Sequence, residues 1–185
     1  TPSSTAHQPA RVQPGTSGDI TAVYLIRGEP QIPLQDLSRH PEILVVTTFA
    51  EFQEAASSEI QLWVDKEAVD LVDVDWLRSE PQRYYPLVLV GYSDPLYCFR
   101  DLLGRHIIGG PIVDWQNNPP GPGFSVDIPL QNTADPERPD VPALLEGYDL
   151  APSSQLILDI VHTVVTTESL AADICDEDAS KTTDP

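Results

Sequence analysis

The chain has 185 residues, enough for one domain with a sizeable core and too few to build two comfortably. Hydrophobic residues make up 41% and charged residues 21%, as in an ordinary globular protein, but 29 acids against 10 bases leave a net charge of −19. A surface of that sign repels phosphate backbones and anionic membranes, so nucleic acid is not expected as a partner, while cations, basic proteins and polar neutral ligands remain open.

Residues 1–18 hold no acid and almost nothing to bury, and their Pro, Ser, Thr, Gln and Gly content predicts a disordered tether. The chain contains no methionine, not even at its start, which suggests a processed product or part of a longer protein. Tethers of this composition follow the lipidated cysteine of exported surface proteins. A secreted or surface-anchored, extracytoplasmic protein is therefore expected, with a lipid anchor upstream of Thr1. No apolar run approaches the roughly 20 residues that span a bilayer.

The domain is expected over residues 19–172. Asp19–Ile26 is rich in β-branched and aromatic residues and predicts a strand, broken at Arg27-Gly28-Glu29-Pro30. Pro33 opens a short helical stretch over residues 34–40. Ile43–Thr47 is a continuous apolar run, the pattern of a strand buried on both faces. Thr48 with Glu51 three positions on forms a capping box for a helix over 49–57. Ile60–Val64 predicts a third strand. Asp75 is placed to cap a helix carrying Trp76 and Leu77, and Leu87–Val90 predicts a fourth, fully apolar strand. Asp94 and Pro95 suit the cap and first turn of a helix over 96–103 that stops at Gly104. His106–Val113 contains a fifth apolar run.

Prolines then crowd the chain from Pro111 to Pro152. Asn117–Gly123 is neither helix nor central strand. Phe124–Leu130 alternates and predicts an edge strand, because Pro129 has no N–H to give to a ladder. Residues 132–142 predict a polar loop. Ser153 or Ser154 caps a last helix, whose apolar stripe runs through Ile157, Ile160, Val161 and Val164, widened by Leu156 and Val165. Residues 173–185 are an acidic, flexible tail.

Strands alternating with helices, and apolar runs unbroken where a one-sided sheet would alternate, predict an α/β domain: a single mostly parallel sheet with helices on both faces. In general architecture this resembles a flavodoxin-like or Rossmann-like three-layer sandwich. Folds of this kind host many functions, so chemistry has to come from a site.

The usual signatures are missing. The turn after the first strand lacks the glycines of a dinucleotide fingerprint, and no phosphate-binding Gly-rich loop occurs. Gly91-Tyr92-Ser93-Asp94-Pro95 is the nearest approach to a hydrolase elbow, with Pro where Gly is wanted. His7, His40, His106 and His162 show no metal-ligand spacing, and Asp70, Asp73 and Asp75 lack the glycine of a calcium loop. Cys98 and Cys175 form no redox motif, and Cys98 lies in an apolar stretch. No metal and no cofactor is expected.

One geometric argument remains. Open α/β sheets bind ligands beyond the carboxyl ends of their strands, where strand order reverses. The expected strand ends carry Arg27, Glu29, Asp65, Lys66, Tyr92, Ser93, Asp94 and Asp114, beside Thr47, Thr48 and Trp115. This polar rim suits a small polar ligand or a hydrated cation, although Asp65, Ser93 and Asp94 also have ready capping roles. The expectation is a non-catalytic binding module for a protein partner or a small polar ligand. Trp115 and Phe124 beside the Pro-rich turn would offer anchors to a protein. The alternative is a carboxylate- or divalent-cation-dependent hydrolase or transferase, which needs at least two of Asp65, Asp94 and Asp114 to converge.

Overall fold

The computed structural model describes residues 19–57, 59–79, 85–93, 123–129, 143–163 and 165–166. They form one six-stranded sheet in the order β2-β1-β3-β4-β5-β6. The strands are β1 Ala22–Leu25, β2 Ile43–Val46, β3 Gln61–Asp65, β4 Leu87–Val90, β5 Phe124–Pro129 and β6 Ala143–Tyr148. The helices are α1 Leu34–Leu37, α2 Phe49–Ala55, α3 Val74–Arg78 and α4 over residues 154–163 and 165–166, with a 3₁₀ helix at Lys66–Leu71.

The fold is α/β, as expected, but the sheet is mixed and not mostly parallel. β2, β1, β3 and β4 run parallel, then β4–β5 and β5–β6 pair antiparallel. The proline-rich stretch therefore supplies two strands to the sheet: β5, where an edge strand was expected, and β6, where no element was expected.

Two further differences concern that stretch. Phe124–Pro129 is an internal strand, and Phe124 through Ile128 are all buried. Pro129 is tolerated because pairing with β4 ends at Asp127, two residues earlier. The edge position belongs to β6, which residue pattern alone does not reveal. Smaller differences lie at the ends of elements. α3 is capped by Asp73, whose carboxylate accepts the Asp75 and Trp76 N–H groups, so Asp75 sits inside the first turn. Val165, counted in the apolar stripe of α4, is exposed. The expected tether, the helix over 96–103, the fifth apolar run and the acidic tail lie outside the described residues.

Alternation along each strand divides the core into two layers. Ala22, Tyr24, Trp63, Val88, Val90, Phe124 and Val126 face one way, where Leu37 of α1 and Ile157 and Val161 of α4 cover them. Val23, Leu25, Leu62, Val64, Leu87 and Leu89 face the other way, under Phe52 of α2, Ala68 of the 3₁₀ helix and Leu77 of α3. Burying both faces is what makes β1 and β4 apolar throughout. The Thr48–Glu51 capping box is present: Thr48 Oγ1 accepts the Glu51 N–H, and Glu51 Oε2 accepts the Thr48 N–H at 3.2 Å. Across the sheet, the carboxylate of Asp36 in α1 accepts the Ser154 N–H at 2.7 Å and ties α4 to the parallel half. Ser153 Oγ caps α4 by accepting the Leu156 N–H.

Candidate functional site

In the strand order, β1 lies between β2 and β3, so the chain leaves β1 toward one side and returns across it to the other. The carboxyl ends of β1 and β3 thus flank the point of reversal, where open α/β sheets form a crevice. β4 ends beside β3, and the antiparallel sense of β5 brings its first residues to the same edge.

Asp65 closes β3 and is fully buried. Its Oδ2 accepts the Tyr24 hydroxyl at 2.5 Å and the Gln31 N–H at 2.8 Å, and its Oδ1 accepts the Glu67 N–H at 3.0 Å. The last bond caps the 3₁₀ helix, and the Gln31 bond folds the loop after β1 back over the end of β3. Pro30 and Ile32 are buried on either side of that bond. Burial first, then the negative charge of Asp65, pushes the Tyr24 phenol far above its ordinary range, so Tyr24 stays a donor.

The other expected site residues gather around this knot in different states. Arg27 bonds both carboxylate oxygens of Asp70, at 2.8 and 2.7 Å, and both side chains are exposed. Glu29 is exposed on the same loop. Lys66 is half-buried, and its aliphatic stem lies against the backbone of Gly91 at the end of β4. Tyr92 and Ser93 are half-buried immediately after it. Asp94 and Asp114 lie outside the described residues, as does Trp115. The structure therefore brings Arg27, Glu29, Asp65, Lys66, Tyr92 and Ser93 to one end of the sheet.

Two glycines make this close approach feasible. Gly91 has φ +100°, and a Cβ there would meet Lys66 Cδ at 2.7 Å and Cγ at 2.9 Å. A Cβ on Gly123 would stand 2.0 Å from the Tyr148 carbonyl oxygen and 2.8 Å from Ser93 Cβ. The Gly91 N–H donates to the Gly123 carbonyl at 2.7 Å, which continues the ladder past the end of β4. Ser125 Oγ donates to the Tyr92 carbonyl at 2.6 Å and satisfies a fully buried hydroxyl.

Sequence reasoning missed Tyr24, Gln31 and Tyr148 as neighbours of the rim. Tyr148 stacks on Phe124 with ring centroids 4.8 Å apart and donates its hydroxyl to Glu146. Burial, then that carboxylate, pushes its phenol up to about 12. An aromatic at a strand end beside an acid two positions earlier was the available signal. No family model, curated protein or solved structure matches the chain.

The arrangement has a definite chemical bias. Asp65 accepts hydrogen bonds from three donors of its own chain, which commits it to holding the local structure. Among the described residues no group of three or more His, Cys, Asp or Glu gathers closely enough to hold a metal ion. The exposed or half-buried groups described at this end are the Lys66 ammonium, the Glu29 carboxylate, the Tyr92 phenol and the Ser93 hydroxyl, beside the Arg27–Asp70 pair.

Proposed function

We propose that this protein is a non-catalytic binding module whose ligand, a small polar molecule or a polar segment of a partner, sits at the carboxyl ends of β1, β3 and β4. The observation that carries the reading is the state of Asp65. The one fully buried carboxylate at the point of strand reversal is occupied in holding the loop after β1, the 3₁₀ helix and Tyr24. It serves to pre-form the rim, and a pre-formed rim lowers the ordering cost of binding.

On this reading the four parallel strands are the core of a flavodoxin-like or Rossmann-like sheet, extended by two antiparallel strands. The composition of residues 1–18 supports an exported module held off a surface by a tether.

A thermal-shift screen with Ca²⁺, Mg²⁺, nucleotides and sugars tests the reading. A ligand of the folded state alone raises its stability by about 2.7 kcal/mol at a hundred times its dissociation constant. A saturable shift that Glu29→Gln or Lys66→Gln diminishes is the expected result. A shift indifferent to both substitutions would place the ligand elsewhere and overturn the reading.

A further inference from the structure

We propose that Lys66 is the anchoring charge of this rim, and that the ligand it takes is a small anion bearing a carboxylate or phosphate group. This rests on the binding-module reading and names the ligand class for the same site.

The first ground is that Lys66 has no partner among the described residues. Among the described residues its ammonium makes no ion pair and no hydrogen bond, although the chain has 29 acids for 10 bases. Asp65, next to it in sequence, is committed to Tyr24, Gln31 and Glu67. Arg27, the other base of the rim, is matched by Asp70.

The second ground is that the position of Lys66 is built. A Cβ on Gly91 would stand 2.7 Å from Lys66 Cδ, 2.9 Å from its Cγ and 3.1 Å from Gln31 Cγ, so the lysine stem occupies room that only a glycine leaves. Gly91 at φ +100° is the backbone that leaves this room. A lysine that only solubilised the surface would need no such channel.

The third ground is location. Lys66 spans from the end of β3 toward the end of β4, beside the point of strand reversal, with the Ser93 and Tyr92 hydroxyls on the neighbouring segment. The net charge of −19 opposes anions at a distance, but charges more than about 10 Å away are screened at ordinary ionic strength. Close by, Arg27 and Asp70 neutralise each other, and the Asp65 charge is shared among three donors. Among the described residues that leaves exposed Glu29 and Glu67 as the local opposition, and selects a small anion over a polyanion.

The test is a titration of the ¹⁵N-labelled protein with inorganic phosphate and with malonate, at ionic strength held constant with chloride. It is followed by amide chemical shifts and repeated on Lys66→Met, which keeps the stem over Gly91 and removes the charge. The expected result is saturable shifts at residues 27–31, 66–67 and 91–93 in the native chain. In Lys66→Met, whose spectrum otherwise keeps its dispersion, binding should weaken about tenfold or more. Native amides that do not saturate, or equal affinities in the two proteins, overturn the assignment. If glucose or Mg²⁺ moves the same amides while phosphate and malonate do not, the anion fails and the binding rim stands. If none of these probes moves them, both fail.

Discussion

Tyr24 on β1 and Asp65 on β3 meet in the fully buried layer beneath the rim, the phenol donating to Oδ2 at 2.5 Å. Their strands are neighbours, yet the residues are 41 positions apart, so the bond closes only when the parallel pair has formed. Tyr24→Phe should destabilise the fold by about 1–3 kcal/mol, because a buried acceptor loses a donor. Asp65→Ala should cost more, since three donors are left without an acceptor. Urea unfolding midpoints at neutral pH check both, and a Tyr24→Phe midpoint equal to the native one would show that the bond contributes nothing net.

The same bond sets an alkaline limit. The folded-state pKa of Tyr24 is raised, so its contribution is fully present below the ordinary tyrosine pKa and is lost as pH rises beyond it, where the unfolded chain ionises first. Stability should therefore fall above about pH 10. The fall should be shallower in Tyr24→Phe, as measured by denaturant midpoints across that range.

Gly91 and Gly123 should respond differently to alanine. At Gly123 the new methyl would strike a backbone carbonyl at 2.0 Å, which cannot move without separating β5 from β6. At Gly91 it would meet the Lys66 stem, a side chain that shifts more readily than a backbone carbonyl, and to that displacement is added the cost of the positive φ, about 1–3 kcal/mol. Gly123→Ala should be the more damaging in thermal unfolding. Equal losses would mean that the strand ends adjust freely.

How much of this was visible beforehand differs by element. β2 and β4 were legible because a strand buried on both faces has to be apolar throughout, and α2 because Thr48 and Glu51 satisfy each other locally. β6 was not legible: Ala, Leu and Glu are helix formers, and only six residues of pairing with β5 hold Ala143–Tyr148 extended. The alternation of β5 misled for a related reason. Ser125 and Asp127 look like a solvent face but are buried. At the rim, a polar residue ending a strand reads the same whether it faces a ligand or its own backbone. The partners that distinguish Asp65 from a ligand-binding acid, Tyr24 and Gln31, lie 41 and 34 positions away.

Arg27 and Asp70 test how far exposed charge matters here. One guanidinium nitrogen of Arg27 reaches both carboxylate oxygens, and the side chains are 50% and 67% exposed, which confines the pair to about 0.2–1 kcal/mol. Arg27→Ala should shift the midpoint only slightly, and the difference should disappear in about 1 M salt, where the screening length falls to roughly 3 Å. A large, salt-insensitive loss would mean that the Arg27 stem packs as well as pairs.

Asp36 should govern the acid sensitivity of α4. Burial acts to raise its pKa, but the Ser154 N–H together with the charges of His40 and Arg39 outweighs it, and the carboxyl is held below the ordinary aspartate range. A depressed folded-state pKa gives stability that is present above the unfolded value, near 4, and is lost as pH falls through the folded one. Because Asp36 accepts the N–H of Ser154, 118 residues on, that loss should fall first on α4, before the strands separate. Amide hydrogen exchange over residues 154–163 should accelerate between about pH 5 and pH 3 ahead of exchange in β1 and β3, once corrected for the intrinsic pH dependence. In Asp36→Asn the α4 amides should already exchange faster at pH 6 and respond less to acid. Exchange that rises in α4 and the strands together would show that Asp36 is only one of many carboxylates titrating with the whole domain.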